Sequence, residues 1–160
     1  MKNAFYISPY APEDLEPCLK LFYNTVHAIN CKDYAPDQLN AWAPKSLEQN
    51  KSRWQDHLEK GLCFVAKLDK GSLVGFADMT EVGHLHGLYV HKDFQGLGVA
   101  SKLLDEVEKT AKNLNLKALS TESSLTAYPF FKKKGFLVQK KQEKELRGVL
   151  FTNYVMHKAL

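Results

Sequence analysis

From Gly98 to Asn113 the apolar positions fall at Ala100, Leu103, Leu104, Val107 and Ala111, with Leu114 next in line. Steps of three and four residues put them on one face of a helix. Ahead of this segment, Leu85 to Val90 is a short apolar run suited to a buried strand. Gln95-Gly96-Leu97-Gly98-Val99-Ala100 lies between the two, so the order is strand, glycine-bearing turn, helix. The same patterning predicts strands over 3–8, 62–68, 73–80, 84–91, 116–122, 136–145 and 149–158. Helices are predicted over 12–28, 35–42, 46–60, 98–113 and 126–134, the first with Glu13 and Asp14 in its opening turn. Turn residues Asp69-Lys70-Gly71-Ser72 and Arg147-Gly148 join two of the strand pairs as hairpins. The expected architecture is a single α+β domain over 1–160: a mixed seven-stranded sheet flanked by helices on both faces. No linker, repeat or low-complexity stretch divides it.

Composition narrows the class. With 160 residues, 44% of them hydrophobic, the chain can bury a core of its own. No apolar run approaches the ~20 residues needed to cross a membrane. Met1-Lys2-Asn3-Ala4-Phe5 lacks the apolar core of a signal peptide. Cys18, Cys31 and Cys63 are odd in number and lack metal-site spacing, so reduced cysteines and a cytoplasmic location are expected. The net charge of +4 suits an anionic ligand; without a concentrated basic patch it argues against a nucleic-acid partner.

The turn before the long helix carries the chemistry. Amides at a helix start have no intrahelical partner and sit at the positive end of the helix dipole. Glycine at 96 and 98 allows a ligand to approach the backbone closely, an arrangement suited to phosphate. No Gly-Lys-Ser/Thr follows, which excludes a P-loop, and no third glycine completes a dinucleotide fingerprint. The stretch does fit Q/R-x-x-G-x-G/A, led by Gln95 and closed by Ala100. About thirty residues on comes Ala127-Tyr128-Pro129-Phe130-Phe131-Lys132-Lys133-Lys134-Gly135-Phe136. With Leu88-Tyr89-Val90, these motifs make the chain resemble the GCN5-related N-acetyltransferase family over roughly residues 62–158, and in element order before that. The resemblance implies a sheet splayed between its fourth and fifth strands, with the pantetheine arm of acetyl-CoA entering the gap. It implies that backbone groups of Leu88, Tyr89 and Val90 pair with that arm. The pyrophosphate is expected on the amides of Gly96, Leu97, Gly98, Val99, Ala100 and Ser101, beside Gln95. Lys102 and Lys109 either neutralise phosphate or are simply solvated. Ser124 replaces a common asparagine and either holds the arm by its hydroxyl or caps the following helix. Phe131, in the cofactor slot, occupies the position of the family's usual tyrosine acid and has no proton to give.

An acyl transfer to an amine also needs a base. His84 and His86, two apart, share a strand face, and imidazole titrates near pH 6.5. Their strand also looks like that of the arylalkylamine N-acetyltransferases, where two histidines are assigned to a proton relay. They are equally compatible with polar residues satisfied at a strand end. A metal is not expected, because two histidines are only two ligands. Tyr128 is the candidate acid, against a packing role, with Tyr154 as a further hydroxyl. For the acceptor, Tyr34 and Trp42 beside Asp33 and Asp37 could hold a cationic amine, or bury in the core; Asp78 and Glu81 could face the cleft. The reading is an acetyl-CoA-dependent N-acetyltransferase acting on a primary amine of a small molecule. The alternatives are a non-catalytic acyl-CoA-binding domain and an enzyme with a protein or charged-tRNA acceptor. A homodimer is left open.

Overall fold

Seven strands hydrogen-bond into one sheet: β1 (Phe5–Pro9), β2 (Leu62–Leu68), β3 (Leu73–Met79), β4 (His84–Val90), β5 (Ala118–Ser124), β6 (Leu137–Leu146) and β7 (Val149–Ala159). Their order across the sheet is β1-β2-β3-β4-β5-β7-β6. Every neighbouring pair is antiparallel except β4 with β5. The computed structural model describes residues 4–160, so residue 3 of the expected first strand lies outside the described residues. The described residues also form five α-helices: α1 (Leu15–Ile29), α2 (Pro36–Trp42), α3 (Leu47–Lys60), α4 (Val99–Asn113) and α5 (Tyr128–Lys133). Among the described residues, no helix is long and apolar enough to cross a membrane.

The element order matches expectation, and the differences lie at ends. Pro12–Asp14 form a 3₁₀ turn, so α1 itself starts at Leu15. The fifth strand begins at Ala118 instead of 116. Asn115, at φ 61°, ends α4 in a left-handed turn, and Leu116 N–H donates to Ala111 O at 3.0 Å; both residues are spent on closing the helix. Helix α5 has six residues rather than nine.

The sheet separates two cores. On one face Phe22 of α1 and Trp54 and Leu58 of α3 pack with Val65 and Phe76. On the other, Leu103, Leu104 and Val107 of α4 pack with Met79, Leu85, Leu119 and Met156. Two irregularities at the centre of the sheet shape everything near the site. Strands β4 and β5 pair only at His84↔Ser120 and Leu85↔Thr121, then part. Strand β5, by contrast, pairs with β7 along its whole length, from Ala118↔Ala159 to Ser124↔Asn153. The second is a register shift between β3 and β4: Gly87 faces Asp78 while Leu85 faces Met79. His86 is therefore the extra residue of a β-bulge, a feature that re-aims a side chain. Its ring lies 4.8 Å from that of Trp54.

Trp54, 1% exposed, is the hub of the first core. Its ring meets Phe22, Phe76, Tyr89, His57 and His86. Trp54→Ala should cost about 3–5 kcal/mol of stability, read as a lowered urea midpoint, and should loosen the wall behind His86.

Candidate active site

At the start of α4, Gly96 and Gly98 take φ of 71° and 87°, backbone that residues with a Cβ adopt only under strain. Gly98 is the N-cap, no side chain caps the helix, and the first helical bond is Lys102 N–H to Gly98 O at 3.0 Å. The amides of Val99, Ala100 and Ser101 thus lack intrahelical partners. Nothing lies within 4 Å of where a Cβ would stand at either glycine. The open, uncapped turn fits a pyrophosphate. Lys102 and Lys109 make none of the ion pairs among the described residues.

Where β4 and β5 part there is a slot of about 190 Å³, lined by Leu88, Tyr89, Val90, Gln95, Ala100, Ser124 and Phe131 among others. Side chains satisfy the backbone at its two ends. Thr121 Oγ1 donates to Leu85 O at 2.9 Å. Val90 O accepts from Thr25 Oγ1 at 3.0 Å and Gln95 Nε2 at 2.7 Å. Gln95 therefore braces the end of the strand as well as leading the turn. A second cavity of about 390 Å³ adjoins, walled by Tyr34, Trp42, Arg53, His84, Leu146, Phe151 and Asn153 among others. Trp42, His86, Tyr89, Glu122 and Ser124 line both. The two spaces meet there.

His84 and His86 both reach the second cavity, with different partners. His84 Nδ1 lies 2.9 Å from Ser120 Oγ. Burial lowers its pKa below the ordinary histidine value, against the pull of Glu122. His86 Nδ1 lies 3.2 Å from Asp78 Oδ2, a spacing at which the ring N–H donates to the carboxylate and leaves Nε2 as the basic atom. The His57 ring stacks on His86 at 3.8 Å and 7°, with its Nδ1 3.9 Å from the same oxygen. Burial, then the neighbouring His86, lowers His57 too. These three donor atoms lie within 4.8 Å of one another, a group able to hold a metal ion. The expectation of no third metal donor considered His84 and His86 alone; the fold leaves His84 outside this group and brings His57 and Asp78 to His86.

Several expected roles change with position. Asp78, 1% exposed, lines neither the slot nor the acceptor-sized cavity; it sits beneath His86 and opens, with His57 and Glu81, onto a separate surface cleft. Tyr128 and Tyr154 are among the lining of neither space, and their rings pack on each other at 4.5 Å. Phe131 is buried against Phe130 and Phe136 while lining the slot. Ser124 Oγ accepts from Ala127 N–H at 3.0 Å in the turn before α5, whose N-cap is Ala127 with no side-chain cap, and Ser124 still lines both spaces. Tyr34 and Trp42 do wall the cavity, with ring centroids 5.4 Å apart. The Tyr34 hydroxyl is committed, however, donating to Thr152 O at 2.8 Å and accepting from Leu125 N–H at 2.9 Å. Asp33 is turned to Thr126 Oγ1, 2.8 Å away, and Asp37 to the Gln38 N–H.

Sequence reasoning missed His57, Arg53 and Glu122. Arg53 and His57 are four apart and so share a helix face, but nothing local says what that face meets. Glu122 reaches the site because β5 carries it to the junction of the cavities. Burial would raise its pKa, yet hydrogen bonds from Lys144 at 2.7 Å and Gln142 at 3.0 Å outweigh this and hold it below its ordinary value.

A splayed sheet, an uncapped glycine turn at the split and a histidine at the meeting of two cavities define an acyltransferase. Residues 30–158 match the model of the acetyltransferase (GNAT) domain, and the chain belongs to that family of N-acetyltransferases. It is 34% identical over 154 residues to the uncharacterized N-acetyltransferase YafP of Escherichia coli K12, covering 96% of this chain and 95% of that one. A GCN5-related N-acetyltransferase crystal structure from Rhodopseudomonas palustris is 30% identical, with TM-score 0.91 over 97% of this chain and 95% of that one. PaiA N-acetyltransferase from Thermoplasma acidophilum, in complex with coenzyme A, shares the fold at TM-score 0.73 and 20% identity, covering 98% and 99%.

The lowered values of His84 and His57 set a pH dependence. The unfolded chain binds these protons near pH ~6.5, whereas the folded chain resists them to lower pH. Their contribution is complete above that pH and is lost as pH falls through it. The urea midpoint should therefore drop between pH 7.5 and 5.5. His84→Gln and His57→Gln should each flatten the decline.

Proposed function

We propose that this enzyme transfers an acetyl group from acetyl-CoA to the primary amine of a small molecule, with His86 as the base. The observation that carries the reading is that the slot and the cavity meet at His86, whose Nδ1 is held by buried Asp78. When bound, acetyl-CoA supplies an acyl group on a thioester, which an unprotonated amine can attack. The open amides of residues 96–101 would hold its pyrophosphate, and the free edge of β4 around Leu88 and Tyr89 would pair with the amides of its arm as an added strand does.

Within the chain, each residue then has a definite task. His86 Nε2 takes the proton that the amine must lose. Asp78 is a positioning residue: it fixes the tautomer of His86 and stabilises the charge the ring acquires. His84, kept neutral by burial, hydrogen-bonds to Ser120 and presents a second imidazole to the acceptor. Phe131 offers the slot an apolar wall, so the departing sulfur takes its proton from water, which the modest pKa of a thiol, about 8.5, permits. The cavity of about 390 Å³, closed by Tyr34, Trp42 and Phe151, is of a size suited to small ligands. The cysteines, Cys18 and Cys63 buried and Cys31 exposed, are all free, as in a reducing compartment such as the cytoplasm.

Thiol release from acetyl-CoA across a panel of amines tests the activity; tight CoA binding without turnover on any amine would favour a binding domain instead. Gly98→Asp should abolish CoA binding by calorimetry in a protein that still melts cooperatively, because it sets a negative charge in the phosphate cradle. His86→Gln should lower kcat on the order of 10²-fold and remove the acidic limb of the rate–pH profile, with CoA affinity retained. Tyr128→Phe should leave turnover within about twofold, since general acid–base assistance requires hydrogen-bond reach to the reacting group.

A further inference from the structure

The acceptor cavity contains a cation with no anionic partner. Arg53, on α3, lines that cavity, and none of the ion pairs among the described residues involves it. The other positive group in the wall, Lys144, is already neutralised by Glu122 at 2.7 Å. A guanidinium carries five N–H donors; Nη1 of Arg53 donates one to Trp42 O at 2.8 Å. The group also packs beside two aromatic rings, its Cζ 5.7 Å from the centroid of Phe22 and 5.8 Å from that of Trp54. These contacts and the bond to Trp42 O restrict it before any ligand arrives, which lowers the ordering cost of binding. Burial disfavours its charge, and nearby Arg147 adds to that. An anion in the cavity would relieve both effects. A second polar atom also waits there: Asn153 Oδ1 is buried without a hydrogen-bond partner and its residue lines the same space. It can accept from an N–H of the ligand.

Resting on the acetyltransferase reading, we infer that the acceptor is a primary amine that also carries a carboxylate, the carboxylate received by the Arg53 fork and the amine directed to His86. Arg53 and His86 both pack against the Trp54 indole and both line this one cavity. The aromatic wall of Tyr34, Trp42 and Phe151 receives the rest of the molecule.

The experiment compares free α- and ω-amino acids with their amides on the full chain. Binding to the CoA-loaded protein is read by calorimetry and transfer by thiol release. At least one acid should be preferred over its amide by about tenfold or more, the scale of one charge-assisted hydrogen bond. In Arg53→Gln that ratio should fall to within about twofold. Arg53→Lys, which keeps the charge and loses the fork, should fall between. CoA affinity and the melting curve report whether each variant has folded. The inference is overturned if no acid outperforms its amide, or if the preference survives in folded Arg53→Gln. Transfer to amides and acids alike would sink this inference and leave the acetyltransferase reading standing. CoA binding without transfer to any amine would sink that reading, while the binding ratio would still decide the role of Arg53.

Discussion

The parting of β4 from β5 is the constraint on which the rest depends. Each strand is bonded more fully to its other neighbour, β4 to β3 and β5 to β7, and the two share only the pairs at His84 and Leu85. A backbone edge is thereby left open inside the protein, where unpaired amides and carbonyls are costly. Thr121, Thr25 and Gln95 satisfy carbonyls at the two ends of the split. The remaining edge of β4 lines the slot. The helix start beside it offers unpartnered N–H groups of the same kind, so slot and cradle act as one surface.

The bulge at His86 arises in the same region and sets what each histidine meets. Without it, a strict two-residue alternation would give His84 and His86 equivalent surroundings. With it, His86 shares the wall of Trp54 and meets Asp78, while His84 is left to Ser120. The buried carboxylate lies 3.2 Å from His86 Nδ1 on β4 and 3.9 Å from His57 Nδ1 on α3, and the two rings stack, so α3 packs on this part of β4. Phe131, which has no hydroxyl, lines the slot and packs on Phe136.

Much was legible along the chain. The apolar steps of three and four that make α4, the two glycines before it and the Phe-Phe pair before Gly135-Phe136 together identified the fold. These features are local: helix periodicity, the need for positive φ and the absence of a Cβ act over a few residues, so the sequence displays them directly. Tyr34 and Trp42 were legible as an aromatic cluster, although the Tyr34 hydroxyl turned out to be engaged with backbone on β7 and before α5.

The sequence by itself determined the strand–turn–helix unit, the sheet that contains it and the lack of a hydroxyl at Phe131. Tertiary structure alone decided that Asp78 lies beneath His86, that Tyr128 packs on Tyr154, that Arg53 lines the second cavity from α3 and that His57 stacks on His86. Each of these outcomes pairs side chains from different elements and depends on where one packed layer sets another. A bulge of one residue redirects a side chain, and no periodicity announces where that extra residue will fall.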